Sequence, residues 1–174
     1  MWFVQIVLLI CVMVGCGYRP IQRVNQSSVW QARRVAVGRF ENLSQQPGME
    51  LMVATQVEAT LRERQVALVL NHESTGVITG RVTRLAQSNL AATALSYGMR
   101  MDMQLLDRET KTVIWRQTSY PCNQSADAGF DYALRLDEKV LFLKALVKTC
   151  VEQLLDNLTS TLIERSHSPS NPMQ

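Results

Sequence analysis

The chain has 174 residues and a formal net charge of +3, with 47% hydrophobic and 19% charged side chains. That is enough apolar material for one domain with its own core. The basic excess is small and scattered, which argues against nucleic acid and suits an anionic lipid or phosphate group only where a few basic residues gather on one face.

Met1 to Gly15 contain no Asp, Glu, Lys or Arg. This apolar run is shorter than the about 20 residues that cross a bilayer, and it ends in small residues, as a secretory leader does at its cleavage site. Met13-Val14-Gly15-Cys16 resembles a bacterial lipobox, in which cleavage precedes the cysteine and the new N-terminal Cys carries lipid. Residues 1–15 are therefore expected to be a removed leader and Cys16 the acylated residue. Each buried CH₂ is worth about 0.8 kcal/mol, so several acyl chains would hold the protein on a membrane. Residues 16–32 read as anchor and polar linker, with Trp30 the exception.

A domain is expected over residues 33–165. Arg33 to Phe40 alternates and runs into the turn-rich Glu41 to Gly48, the pattern of a first strand. From Met49 to Arg64 the period changes: Val53, Val57 and Leu61 recur every four residues, Glu50 opposes the helix N-terminus and Arg62 suits the C-terminus. Val66 to Leu70 suits a short second strand. Val77 to Gln87 and Leu95 to Asp107 are two longer strands around the small-residue connection Ser88 to Ala94. In the second of them Tyr97, Met99, Met101, Met103 and Leu105 alternate with Ser96, Gly98, Arg100, Asp102 and Gln104, so one face is apolar and the other wet. The methionine stripe is read as core packing against the helices.

Asp107 to Lys111 make a turn into a last strand, Thr112 to Tyr120, and Pro121 to Tyr132 read as a loop. Asp137 to Arg165 carry Val140, Leu143, Val147, Val151, Leu154, Leu158 and Leu162 at helical spacing, about 40 Å of helix at 1.5 Å per residue. Residues 166–174 are expected to be a disordered tail. The order strand, helix, four strands, helix points to a two-layer α+β sandwich, a mixed sheet of four to five strands with two helices packed on one face.

Chemistry is sparse. Neither His72 nor His167 has a Cys or carboxylate at metal-ligand spacing, so neither a metal nor another cofactor is expected beyond the lipid on Cys16, and no phosphate loop or nucleophile turn is present. The chain is not expected to be an enzyme. Asn25, Asn42, Asn123 and Asn157 head Asn-x-Ser/Thr triplets, which carry no meaning in a bacterial lipoprotein. With Cys11 leaving in the leader and Cys16 acylated, Cys122 and Cys150 remain. An oxidising compartment invites a disulfide between them, and Cys150 as a plain core residue is the alternative. Cα atoms must come within about 7 Å, which loop geometry decides and spacing does not.

With these elements in place, Gly15-Cys16-Gly17-Tyr18, then Val35 to Asn42 running into Gln46-Pro47-Gly48-Met49-Glu50, then Asp107 to Trp115, together resemble the LptE family, the lipopolysaccharide-assembly lipoproteins of the outer membrane. Lys111 and Gln65 stand where that family commonly has glycine. The resemblance implies a small lipoprotein on the periplasmic side of the outer membrane. It would sit in the lumen of an LptD-type β-barrel, help that barrel assemble, and touch lipopolysaccharide. Another lipoprotein with a similar domain, such as a penicillin-binding-protein activator or a TolB-like or curli-secretion module, is the rival reading.

If the third and fourth strands form a hairpin centred on their connection, Arg81 and Arg100 face each other on the open side of the sheet, with Arg84 and Asp102 nearby. Like charges directly opposite cost up to about 1 kcal/mol unless an anion sits between them. A lipid A phosphate fits, because guanidinium binds phosphate bidentately, so Arg81, Arg84 and Arg100 are the candidate lipopolysaccharide contacts. In the alternative, Asp102 pairs diagonally with one of the arginines, or the register differs by two and Arg81 faces Asp102. Arg33, Arg34 and Arg39 read equally well as a solvated edge.

Overall fold

The structure, a computed structural model, describes Trp30 and residues 33–91, 94–127 and 136–167. The expected leader, Cys16, most of the linker and residues 168–174 lie outside the described residues. Five strands form one sheet: β1 (Arg34–Asn42), β2 (Ala67–Leu68), β3 (Gly76–Ala91), β4 (Ala94–Asp107) and β5 (Val113–Asp127), in the order β2-β1-β3-β4-β5. β1 runs parallel to both its neighbours, and β3, β4 and β5 form an antiparallel meander. Two helices, α1 (Met49–Glu63) and α2 (Leu136–His167), pack on one side of it. The expected α+β class and the single helical layer are both present.

The core lies between the helices and the inner sheet face. α1 buries Met49, Val53, Val57 and Leu61 completely, and α2 buries Leu146, Val147, Cys150, Val151, Leu154, Leu155 and Leu158. Against them the sheet sets Ile78, Val82, Met99, Met101, Met103 and Leu105, so the methionine stripe is core. Each such side chain contributes roughly 1.5–3 kcal/mol by leaving water. Polar groups pin α2 down along its length. Trp30 Nε1 donates to Thr159 Oγ1 at 3.2 Å, Trp115 Nε1 to Asn157 Oδ1 at 3.3 Å, and Arg165 Nη1 to the Ile114 carbonyl at 2.6 Å. Arg64, just past α1, pairs with Asp156 at 2.9 Å and donates to the Glu152 carbonyl, which fixes one helix against the other.

Several boundaries depart from the sequence reading. The ladder at β2 is two residues long instead of Val66 to Leu70, because the chain leaves β1 after Val69 N–H reaches the Val35 carbonyl. The connection expected over Ser88 to Ala94 shrinks, as β3 reaches Ala91 and β4 begins at Ala94. The largest correction is β5, which continues through Pro121 to Asp127 where a loop was expected. β5 borders only β4, so Pro121 removes no ladder bond on a second side. α2 also runs to His167, past the expected Arg165.

Since Asn42 pairs with Val82, β3, β4 and β5 all continue beyond the end of β1 as a three-stranded arm. The first half of α2 covers this arm. Tyr97 and Phe142 stack with ring centroids 5.1 Å apart, and burial pushes the Tyr97 hydroxyl pKa up. Cys122 of β5 and Cys150 of α2 are joined by a disulfide, with Cα atoms 5.5 Å apart.

Candidate functional site

The side of the sheet away from the helices has no covering layer among the described residues, and its residues are polar. Side chains on neighbouring strands that are register partners share a face, so the outer face can be read in lateral rows. One row is Arg84, Arg100 and Pro121; the next is Glu41, Arg81 and Asp102; the third is Thr79, Gln104 and Arg116. Arg39, from the register shift in β1, lines a groove of about 430 Å³ with Arg81, Asp102, Gln104, Arg116 and Thr118.

This register corrects the expected juxtaposition. Arg81 does not face Arg100; it faces Asp102, and its Nε donates to Asp102 Oδ2 at 2.7 Å. The hairpin closes at Ala91 and Ala94, beyond the centre of the expected connection, which sets Arg81 against Asp102, and a one-residue irregularity in β3 between Val82 and Arg84 then brings Arg84 instead of Thr83 opposite Arg100. The like-charged pair is thus Arg84 with Arg100, both exposed. Arg100 Nη1 donates to Ser119 Oγ at 3.3 Å, while Arg84 has no hydrogen-bond or ion-pair partner among the described residues. A pair of this kind costs up to about 1 kcal/mol until an anion is shared between its members.

Asp102 is the best-held group of the face. Burial alone would raise its pKa, but the Ser119 N–H at 2.7 Å and the Arg81 guanidinium hold it below the ordinary carboxylate value. The same hydrogen bond and charge raise the Arg81 pKa. The Ser119 N–H reaches Asp102 because β5 carries one extra residue between Gln117 and Tyr120, with Ser119 in the left-handed region at φ 52°. That conformation costs a non-glycine residue roughly 1–2 kcal/mol, and such strain gathers at functional sites.

In the third row Arg116 donates through Nε and Nη2 to Gln104 Oε1 at 3.0 and 2.8 Å, and Gln104 Nε2 donates to Thr79 Oγ1 at 3.2 Å. The acceptor is neutral, so the guanidinium plane is fixed while its charge has no ion-pair partner among the described residues. Gly80 belongs to the floor of this region. A Cβ there would collide with the Asp102 carbonyl oxygen and the Phe40 ring, so only glycine lets β1 and β4 close on β3 at this point.

Arg116 and Gln104 were within reach of the sequence, since they alternate with the apolar Trp115 and with Met103 and Leu105. The partnership of Arg39 with this groove and the Ser119 bulge had no local signal, because both arise from register shifts. His72 lies in a short 3₁₀ turn with Nε2 3.4 Å from its neighbour Glu73. Among the described residues no three His, Cys, Asp or Glu side chains are placed to hold a metal ion.

No protein-family profile and no curated protein matches the sequence. Solved structures do match the fold. A candidate lipoprotein from Caulobacter crescentus shares it at a TM-score of 0.55 and 12% identity, over 84% of this chain and 98% of that one. A protein from Xanthomonas campestris does so at 0.54 and 10%, over 78% and 89%. A minor lipoprotein from Acinetobacter baumannii does so at 0.50 and 14%, over 74% and 94%. At these identities the likeness is one of fold.

Proposed function

We propose that this chain is a lipid-anchored, non-enzymatic subunit of an outer-membrane lipopolysaccharide translocon. Cys16 carries the anchor, the domain sits on the periplasmic side as a plug in an LptD-type β-barrel whose assembly it assists, and lipopolysaccharide passes against the open sheet face. The observation that carries the reading is Cys16 itself, placed directly after fifteen residues without a charged side chain. A fold that also occurs in proteins described as lipoproteins is in keeping with it. So is an uncovered face on which Arg84 and Arg100 oppose each other; Arg81 is the weaker contact, since Asp102 already engages it. The same face places Arg84 and Arg100 as register partners on neighbouring strands.

The test is intact-mass spectrometry of the protein purified from membranes, with identification of what co-purifies. An acylated Cys16 as the first residue and a large β-barrel in the eluate are expected. An uncleaved leader or unacylated Cys16 overturns the anchor, and a peptidoglycan synthase in place of the barrel overturns the translocon.

A further inference from the structure

We propose that the open sheet face binds a single ligand through two phosphate groups about 14 Å apart, one held by Arg84 and Arg100 and the other by Arg116 with Arg39. The spacing follows from β4, where Arg100 and Gln104, the register partner of Arg116, are four residues apart at about 3.4 Å each.

The rows explain why two points are engaged and not a continuous strip. The Arg84 and Arg100 row is positive, with no carboxylate among its register partners. The middle row holds Glu41 and Asp102 around Arg81, and its one guanidinium is consumed in the ion pair with Asp102. The third row ends in Arg116, oriented by Gln104, its charge felt by Asp102 but with no carboxylate at ion-pair distance among the described residues, and the exposed Arg39 lines the same groove. Along β4 the face therefore reads positive, negative, positive. An evenly charged polyanion, or a flat array of anionic headgroups, places negative charge over Asp102 and Glu41 and is repelled there. A ligand with phosphates at its two ends and an uncharged, hydroxyl-bearing middle meets a complementary partner at every row, the hydroxyls of the middle donating to the Glu41 and Asp102 carboxylates. Arginine suits the ends because its planar fork engages two phosphate oxygens together. A bisphosphorylated sugar, free or as the headgroup of a lipid, has this chemistry. For its lipid source the inference rests on the lipopolysaccharide reading above; the geometry of the face does not.

The experiment uses full-length protein in non-ionic detergent and four probes: bisphosphorylated lipid A, its monophosphorylated form, phosphatidylglycerol micelles, and the deacylated glucosamine disaccharide 1,4′-bisphosphate as a free sugar long enough to reach both ends. Loss of one guanidinium-held phosphate is expected to weaken binding by about tenfold or more, so the wild type should prefer the bisphosphorylated lipid by at least that ratio. Arg116→Gln and Arg84→Gln, both exposed positions whose melting temperature should not change, should each bring the ratio to about one. Equal binding of the two lipid A forms by the wild type overturns the proposal, as does a ratio that survives in either variant or phosphatidylglycerol binding as tight as lipid A. Competition by the free bisphosphate places recognition in the sugar phosphates; its failure, with the lipid preference intact, assigns the site to the lipid-borne headgroup, and both support the two-point site. If the barrel co-purifies but the ratio is one, this site fails and the translocon reading stands. If Cys16 is unacylated but the ratio holds, the reverse is true.

Discussion

The disulfide between Cys122 and Cys150 closes a loop of 28 residues that spans the end of β5 and the first half of α2. In the chain-entropy treatment, cross-linking a loop of that length removes roughly 3.5 kcal/mol of conformational freedom from the unfolded chain at 25 °C. For a protein of this size 1 kcal/mol moves the melting temperature by about 2–4 °C, so reduction should lower it by roughly 7–14 °C. Both cysteines are buried, but a comparison of oxidised with reduced wild type changes no packing volume and isolates the cross-link. Cys122→Ala with Cys150→Ala should melt near the reduced wild type and be indifferent to dithiothreitol. Hydrogen exchange adds a local reading. Reduction should speed exchange in the arm, at Tyr97 to Met101 and Tyr120 to Gln124, more than in β1 and α1, which the bond does not touch. Identical melting of oxidised and reduced protein, or a uniform rise in exchange, would refute the idea that the bond clamps the arm to α2.

Two further outcomes follow from the backbone and the open face. Gln65 and Lys111 both sit at φ 59°, so Gln65→Gly and Lys111→Gly should each stabilise the protein by about 1 kcal/mol in denaturant titrations, and a loss of stability would show that their side chains matter more than their backbone. Asp102 titrates below its unfolded value, which makes its contribution to stability present above about pH 4 and lost as the pH falls through the folded pKa. Asp102→Asn should therefore flatten the acid limb of a stability profile measured from pH 6 down to 3. A residual slope is expected from Asp107, which the Thr110 N–H and hydroxyl hold low in the same way; an unchanged profile would contradict the role given to Asp102.

Much of this fold is visible in periodicity alone. Val53, Val57 and Leu61 place α1, and the strict alternation from Tyr97 to Leu105 gives β4 its buried and wet faces before any register is known. Gln65 and Lys111, which stand where the LptE family commonly has glycine, both take positive φ in the structure, a backbone conformation that the resemblance, and not periodicity, pointed to. What stayed hidden is pairwise. Where the hairpin closes decides whether Arg81 meets Arg100 or Asp102, a one-residue irregularity after Val82 decides whether Arg100 meets Thr83 or Arg84, and no local propensity distinguishes these. The extension of β5 through Pro121 and Asp127 was masked by turn-forming residues that an edge strand tolerates, since its outer side needs no ladder partner. The open face inherits effects of this kind, because shifts in two different strands, β1 and β5, bring Arg39 to the groove and Ser119 to Asp102.

Trp30 has a consequence for reach. Its indole is 2% exposed and hydrogen-bonded to Thr159, so the N-terminal segment is pinned to the last third of α2 before β1 begins. If the lipid is on Cys16, only fourteen peptide steps separate the membrane from that pin, at most about 50 Å when fully drawn out. The domain would then work on a short leash whose length is set by where the tryptophan is buried, and freeing that ring would lengthen the leash without altering a single contact on the arginine face.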